Sequence, residues 1–557
     1  MASPAKRSAS LEWRLALVAP LAYVGLALWL LEPALRGPIV SDDVLLFMGR
    51  PYMEGLAPEN VKTILDPRGE PVQITANWAP VHLLAHALEF EWFGSPLEDP
   101  YPYHVVNGIV HGVNATLFAA LLASLGVPLV AALAAGLVFV VHPANVETAA
   151  WIFQLKTLLA FSFGFGALLA LVHRPLFATL LFALALLSKP SASAVLAAAI
   201  VFEWQRAPAD GEPPRRTRFL LGWGVLLLLY ALPEFSAFRH IGEFRGELPL
   251  ATQALQAVAI VGRYLVLALT SFGASAFQQP TPPASPLDAW FLLGLVTLLG
   301  LAAVSLRALR RGHPAAGWLG LSLAAYLPIA QLFPFRYPMA DRYLYFVLPG
   351  LLGALAVTLA PWLEGRLEAV NARGARAASA GLVAAALVVT GASAAFALRF
   401  HQRAALWSSP AQLEADAAQH YPDGIPGQIT LARALLARGD AEGAIDALAR
   451  ARARGHSNPA AFIQDPAFQP LFAYPRYVEL LREITERWIE RFAAISDPSP
   501  SNLLGLAQAE MFLGRVDRAR EAFARAEAKA SGREREAIRQ MRSDMEAAIR
   551  STEGTPP

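Results

Sequence analysis

Hydrophobic and polar positions divide the chain into two parts. Up to about residue 400, apolar runs follow one another, and many approach the roughly 20 residues that a helix needs to cross a bilayer. From residue 402 onward the chain is rich in Ala, Arg and Glu with a helical period and has no such run. We therefore predict an all-α fold class, with a polytopic helical membrane domain over residues 1–401 and a soluble helical domain over residues 402–557.

Eleven apolar runs are predicted to cross the membrane. The first shows no small-residue cleavage site and is predicted to be retained as a helix. A further run, 252–272, is predicted to be re-entrant or to lie along the surface, because this keeps every basic cluster on one side of the membrane. The eleven runs are 15–31, 104–125, 128–141, 156–172, 175–188, 190–202, 219–231, 289–306, 315–332, 343–359 and 378–398.

Basic residues orient these runs. The positive-inside rule places their clusters and the N-terminus in the cytoplasm, and an odd number of spans then places the C-terminal domain outside, on the periplasmic face of a cell (inner) membrane. Residues 36–103 become the first extracytoplasmic loop, and polar residues cluster in this loop and in the later outer segments. The basic residues are Lys6, Arg7, Arg14, Arg174, Arg206, Arg215, Arg216, Arg218, Arg307, Arg310, Arg311, Arg366, Arg373 and Arg376.

Composition agrees with a membrane protein. Hydrophobic residues make up 55% of the chain and charged residues 16%, with a mean hydropathy of +0.40, whereas soluble domains carry about 25% charged residues. This excludes a cytosolic globular enzyme. The net charge of +2 without a basic stripe argues against a nucleic-acid partner. The absence of cysteine excludes disulfides, thiolate metal sites and cysteine nucleophiles.

The C-terminal domain contains a pattern that is typical of tetratricopeptide repeats. The first copy has Ala432, Leu435, Ala444, Leu448 and Ala451 at its packing positions, and the second has Ala507, Gly514, Ala519, Phe523 and Ala526. Since Ala444 and Ala519 are 75 residues apart, and the usual period is about 34, residues 462–490 are predicted to form a divergent or inserted unit. Such a short stack needs neighbours, so we expect it to dock on the membrane domain, either as a protein-binding surface or as a packing cap.

An acidic doublet begins the first outer loop, where Asp42 and Asp43 follow Ser41. Two adjacent carboxylates cannot share one face of a helix, so they are predicted to serve different partners. One would accept a proton, and the other would position a group or a cation. The alternative is a helix cap, for which Ser and Asp are favoured residues.

Histidines and aromatic residues follow in the same loop. After Trp78, His82 and His86 have the i, i+4 spacing of metal ligands, but no third ligand lies in register, so an aromatic and histidine cluster is favoured. Three polar residues share one face of the next span, and their alternative role is hydrogen bonding between helices. These three are His104, Asn107 and His111.

Two of the chain's five lysines, Lys156 and Lys189, interrupt strongly apolar segments. A charge at the centre of a span costs about 2.5–3.5 kcal/mol on insertion scales, so each lysine needs an anionic partner, either a carboxylate or a lipid phosphate. The alternative is snorkelling to the interface. Arg342 is a third candidate phosphate ligand, with a structural pair to Asp341 as its alternative.

The order of these motifs resembles one family. The chain contains the acidic doublet, W-x-P at Trp78, F-G, Y-H-x-x-N-x-x-x-H, H-P-x-x-x-E from His142 to Glu147, L-S-K and A-D-R-Y-L-Y, followed by the repeats. This set is similar to the transmembrane and tetratricopeptide-repeat-containing O-mannosyltransferases and their bacterial relatives, in the GT-C glycosyltransferase class. One departure is Ala79, where the family usually has Arg before the proline.

The resemblance implies a GT-C-like membrane domain and a glycosyltransferase that moves a sugar, such as the hexose mannose, from a polyprenyl-phosphate donor to an extracytoplasmic acceptor, a protein Ser or Thr or a glycan. It puts Asp42 and Asp43 at the active site, and the reaction is expected to invert the anomeric carbon. No cofactor is required, although the site is compatible with a divalent metal ion. The expected substrate-binding residues are Lys156, Lys189, Arg342, His142, Glu147, Trp78, His104, Asn107 and His111.

Two other functions are compatible with the sequence. A transporter or lipid flippase would use the intramembrane lysines to gate an anionic cargo, but it predicts inverted repeats, and no convincing pair of related halves is present. A non-catalytic GT-C-like scaffold subunit would use the helical-repeat domain for protein interaction, since a fold by itself does not establish a function.

Overall fold

The computed structural model describes residues 4–75, 77–206, 216–239, 248–331, 335–373, 375–493, 498–530 and 532–553. The regular elements in these ranges are helices, which confirms the all-α prediction. The described ranges contain no β-strand, and the one β-bridge in them joins Gln278 and Met339. The helices up to residue 406 are α1 (Pro4–Leu31), α2 (Asp42–Phe47), α3 (Pro58–Leu65), α4 (Glu70–Thr75), α5 (Pro80–Phe93), α6 (Tyr101–Ser124), α7 (Leu129–Val141), α8 (Val146–Ala150), α9 (Leu155–Leu171), α10 (Pro175–Leu186), α11 (Ser193–Gln205), α12 (Thr217–Arg239), α13 (Leu250–Thr270), α14 (Ala289–Arg310), α15 (Ala315–Tyr326), α16 (Val347–Arg373) and α17 (Ala375–Leu406).

Within the described ranges, eight helices are long and apolar enough to cross a membrane: α1, α6, α9, α12, α13, α14, α16 and α17. A ninth span is formed if α7 is counted together with the segment Pro143–Ala150, to which it is bent by 55°. The predicted eleven spans include three helices shorter than a perpendicular crossing needs, α10, α11 and α15. The polytopic helical architecture is therefore clear, although these three helices are too short to cross upright.

The segment predicted to be re-entrant or surface-bound is one unbroken helix, α13, of 21 residues. It pairs with α14 in an antiparallel hairpin in which Gly262 approaches Gly294, and a Cβ on Gly294 would overlap the carbonyl oxygen of Val258. The sharp break in the apolar part of the chain lies instead at His142, between α7 and α8.

The bundle has two chemically different ends. Gln205 at the end of α11 donates a hydrogen bond of 2.6 Å to the carbonyl of His313, and the ends of α6, α9 and α11 meet beside it. We call this the basic end, because it carries Arg174, Arg206, Arg307, Arg310 and Arg311. The loop 36–103 and the residues after 406 lie at the opposite end, which we call the Asp42 end.

The C-terminal domain consists of α18 (Pro410–His420), α19 (Ile425–Leu436), α20 (Ala441–Ala453), α21 (Ala460–Ile463), α22 (Pro475–Ala493), α23 (Pro500–Phe512), α24 (Val516–Lys529) and α25 (Gly532–Glu553). Helices α19 and α20 form one packed pair, and α23 and α24 form another. The alanines of both predicted repeats, together with Leu448 and Phe523, are buried in these pairs.

Polar contacts fasten this domain to the membrane domain. Thr281 donates to Asp423 over 2.6 Å, and Gln279 donates to the carbonyl of Arg454 over 3.0 Å. Arg50 of the 36–103 loop makes the most extensive of these contacts, since its guanidinium bonds Ser499, Ser501 and Asn502 near the start of α23. The short stack thus has the membrane domain as its neighbour.

Candidate functional site

The two carboxylates of the acidic doublet point in different directions. Ser41 has a φ of 53°, which L residues rarely adopt, and α2 begins at the next residue. Asp43 is fully buried, where Oδ2 accepts a hydrogen bond from the N–H of Val40 at 3.0 Å and Oδ1 accepts one from the N–H of Phe153 at 2.8 Å. Asp42 is half-buried and lines a cavity. Asp42 is therefore the member of the doublet that can meet a substrate.

Burial raises the pKa of Asp43 to about 8, against the two backbone hydrogen bonds, which lower it. Both oxygens are occupied by backbone donors, so this carboxyl braces the loop onto the segment before α9. Asp43 was expected to be catalytic, but its side chain does not line the cavity. Its contacts are those of a residue that positions the loop.

The cavity beside Asp42 has a volume of about 90 Å³. Four parts of the chain surround it: the start of the 36–103 loop, the segment after α7, the loop between α13 and α14, and the segment before α16. Two residues at the junction into the C-terminal domain complete the lining. Its lining residues are Val40, Ser41, Asp42, Glu147, Trp151, Ala276, Phe277, Tyr337, Arg342, Trp407 and Leu413.

Arg342 and Glu147 form an ion pair in the cavity wall. The guanidinium Nη1 bonds Glu147 Oε1, and the backbone N–H of Arg342 donates to Glu147 Oε2 over 2.9 Å. The guanidinium also lies 5.2 Å from the centre of a Trp151 ring. The alternative pairing of Arg342 with Asp341 is wrong, because Asp341 points away and pairs with Arg403 at 3.3 Å.

The two lysines do not line this cavity, but they interact electrostatically with residues that do, Lys156 with Asp42 and Arg342, and Lys189 with Arg342 and Glu147. Lys156 is buried, with its ammonium 3.7 Å from the centre of the Phe153 ring. Lys189 donates a hydrogen bond of 2.6 Å to Thr157. Among the described residues, neither ammonium has a carboxylate within ion-pair distance. Burial lowers the pKa of Lys189 well below its usual value, and the neighbouring Lys156 and Arg342 lower it further. In the part of the chain that the structure describes, the two lysines are thus held by a ring contact and a hydrogen bond and not by a direct ion pair.

Four predicted substrate-binding residues do not line the cavity and instead contact backbone carbonyl groups. His104 places its ring nitrogens 2.8 Å from the carbonyl of Ala150 and 3.1 Å from that of Gly37. Asn107 donates to the carbonyl of Trp151. His111 and His142 contact the carbonyls of Val140 and Ala268, at 3.1 and 2.9 Å. His104 and His111 thereby contact carbonyls of α8 and α7, which agrees with their alternative role in bonding between helices, whereas Asn107 bonds the carbonyl of Trp151, just after α8. The assignment of all four residues as substrate contacts is therefore corrected: they hold the backbone of neighbouring segments in place.

Trp78 is held outside the cavity. Its backbone N–H donates to Glu234 over 2.7 Å, and its ring stacks on that of Tyr230. Glu234 was missed by the sequence analysis and acts electrostatically on Lys156. A lone carboxylate near the end of an apolar run was the signal that would have found it. Tyr337 was also missed; it lines the cavity, and burial raises its pKa to about 12.

The histidine pair of the loop forms a separate cluster. His86 lies 2.6 Å from Glu89, and the His82 ring packs 4.6 Å from that of His86. In the ranges that the structure describes, no group of three or more His, Asp or Glu side chains is placed to hold a metal ion. The rings of His82 and His86 also pack against Phe153 and Phe47, as the aromatic and histidine interpretation expects.

Comparison with protein-family models, with curated proteins and with solved structures finds no match to this chain.

Proposed function

We propose that this protein is a membrane glycosyltransferase, which transfers a sugar such as mannose from a polyprenyl-phosphate donor to a hydroxyl group of an extracytoplasmic protein. One observation supports the proposal: a half-buried carboxylate, Asp42, lines a cavity together with Arg342, and the buried side chains of Lys156 and Lys189 lie within electrostatic range of Arg342. A carboxylate can act as the general base on an acceptor hydroxyl, and nearby cationic groups can stabilise the negative charge of a departing phosphate.

The residues have distinct roles in this reaction. Asp42 accepts the proton of the acceptor hydroxyl, and the oxygen of that hydroxyl bonds to the anomeric carbon from the face opposite the phosphate. The bond from that carbon to the phosphate oxygen breaks, its electron pair stays on the polyprenyl phosphate, and the configuration inverts. Lys156, Lys189 and Arg342 stabilise the charge on the departing phosphate. Glu147 orients Arg342, and Asp43 positions the loop.

The two ends of the bundle support an extracytoplasmic site. Arginine clusters at the basic end favour the cytoplasm for that end, so the Asp42 end would face away from it. Nucleotide sugars are cytoplasmic, and a transferase on the other face therefore needs a donor carried by a lipid. Trp407 and Leu413, at the junction to the C-terminal domain, line the cavity. We infer that the tetratricopeptide-repeat-like domain presents the acceptor there.

Replacement of Asp42 tests the proposal. Asp42→Asn is expected to lower sugar transfer from polyprenyl-phosphate donors by about 10²–10⁴-fold in proteoliposomes, because the general base is removed. The matched control is Glu54→Gln, which neutralises an exposed carboxylate of the same loop and should leave transfer unchanged. Unchanged transfer by the Asp42→Asn protein would overturn the mechanism.

Lysine replacements distinguish the alternatives. Lys189→Met is expected to raise the KM for the donor, whereas Lys62→Met, at an exposed position in the 36–103 loop, should not. A transporter would instead show lipid flux that needs Lys156 and would form no glycosidic bond. A scaffold would show no transfer with the wild-type protein, and its Asp42→Asn variant would behave as the wild type does.

A further inference from the structure

A large apolar groove lies in the membrane domain, away from the Asp42 cavity. It has a volume of about 780 Å³ and is walled by α1, α7, α16 and α17. Its walls consist almost wholly of aliphatic side chains, of which Leu355 and Leu359 are 55% and 48% exposed at its mouth. The groove therefore opens sideways, in the direction of the surrounding lipid.

The position of the groove matches one leaflet of a bilayer. It extends along α7 from Val130 to Val138 and along α17 from Leu382 to Thr390, which is about 12 Å in each case at 1.5 Å per residue. One leaflet contributes roughly 15 Å of hydrocarbon. Because α7 begins next to the basic end of the bundle, the groove lies in the half of the domain that is remote from Asp42.

An exposed arginine, Arg366, follows the lining of the groove on the side of the basic end. Trp362 lines the groove on α16, and Arg366 follows it one turn later on the same face of the helix. Both side chains reach α17 at Gly381, where a Cβ would come within 3.7 Å of the Trp362 ring and 3.9 Å of the Arg366 guanidinium carbon. An aromatic ring followed by an arginine is the arrangement found at the level of lipid headgroups.

We propose that this groove binds one hydrocarbon chain of an anionic glycerophospholipid, with the lipid phosphate at Arg366. The groove supplies a leaflet-deep apolar wall, and the arginine supplies the charge that selects an anionic headgroup. The proposal is independent of the glycosyltransferase reaction, since none of the residues placed in that reaction lines the groove.

Lipid that copurifies with the full-length protein, measured by native mass spectrometry, tests the proposal. We expect phosphatidylglycerol to remain bound to the wild-type protein and Ala385→Phe, which fills the groove, to lose most of it. Ala134→Phe fills the same groove from α7. It is expected to lose the lipid as well, so that the result does not depend on the folding of a single variant. The matched control, Ala302→Phe, adds the same ring on an exposed face of α14 and should retain the lipid.

The headgroup is tested by Arg366→Gln, with Arg311→Gln as a control that removes an exposed charge at the same end. In delipidated protein, added phosphatidylglycerol should raise the midpoint of thermal unfolding more than phosphatidylcholine does, and Arg366→Gln alone should remove this difference. Equal lipid retention by the wild type and both groove-filling variants would overturn the proposal. It would also be overturned by a dimer that holds no lipid, or by equal effects of the two lipids.

Discussion

Asp43 Oδ1 accepts a hydrogen bond of 2.8 Å from the backbone N–H of Phe153, across 110 residues of sequence. This bond joins the loop that carries Asp42 to the segment that leads into Lys156. The distance between the proposed base and the proposed phosphate ligand is thereby set by a residue that touches neither substrate. Asp43 can thus matter for activity although its side chain does not reach the cavity.

Replacing Asp43 should change how stability depends on pH. Burial raises its pKa to about 8 in the folded protein, whereas the unfolded value is about 3.9. The folded state therefore retains a proton that the unfolded chain releases, so the carboxyl's stabilising contribution is fully present below about pH 4 and is lost as the pH rises to about 8. We expect Asp43→Asn to flatten the fall in unfolding midpoint between pH 5 and pH 8, with Glu54→Gln as the control. Parallel curves for wild type and variant would contradict this expectation.

The pair between Glu147 and Arg342 should show strong energetic coupling. Glu147→Ala leaves a largely buried guanidinium without its partner, which costs about 3–5 kcal/mol of unfolding free energy. The double variant with Arg342→Ala should lose less than the sum of the single variants, by on the order of 0.5–3 kcal/mol. Arg433 and Asp465, whose pair has a 45% exposed arginine side chain, should couple by at most about 1 kcal/mol. If double-mutant cycles give the same coupling energy for both pairs, the pair between Glu147 and Arg342 is no stronger than an exposed ion pair.

Arg50 should hold the C-terminal domain against the 36–103 loop. Its side chain is 6% exposed and bonds Glu70, Ser499 and Asn502. Charge-assisted hydrogen bonds contribute about 1.5–3 kcal/mol, so Arg50→Ala should speed hydrogen exchange in α23 by roughly 10- to 100-fold. Arg68→Ala, at an exposed position of the same loop, is the control. If α23 exchanges at the same rate in both variants, the docking depends on other contacts.

Close approach of α13 and α14 should make Gly294 intolerant of a methyl group. A Cβ there would overlap the carbonyl oxygen of Val258, whereas a Cβ on Gly300, further along the same helix, would have no neighbour within 4 Å. Gly294→Ala is expected to cost about 1–3 kcal/mol, while Gly300→Ala should be neutral or stabilising by up to about 1 kcal/mol. The measurement is the thermal unfolding midpoint of each purified variant, and a stable Gly294→Ala protein would show that the helices separate easily.

Hydropathy was enough to locate the helices but not to fix how each meets the membrane. Long apolar runs predict helices because a segment that enters lipid must satisfy its backbone hydrogen bonds within itself, and hydropathy can be read from a local window of sequence. Whether α10 or α15 crosses a bilayer depends on length and tilt, and the pairing of α13 depends on Gly262 meeting Gly294. Those contacts join distant positions, so no window of sequence contains them.

For the candidate site, too, the sequence predicted some features and left others to the tertiary structure. The sequence by itself identified the acidic doublet, the two isolated lysines and Arg342 as unusual, because charges in apolar surroundings are costly and need a reason. Only the tertiary structure decided that Asp42 faces the cavity while Asp43 turns inward, and that Arg342 pairs with Glu147 and not with its neighbour Asp341. The direction of a side chain depends on its backbone angles and on partners far away in the sequence, such as Phe153 for Asp43, and these are fixed only when the whole chain packs.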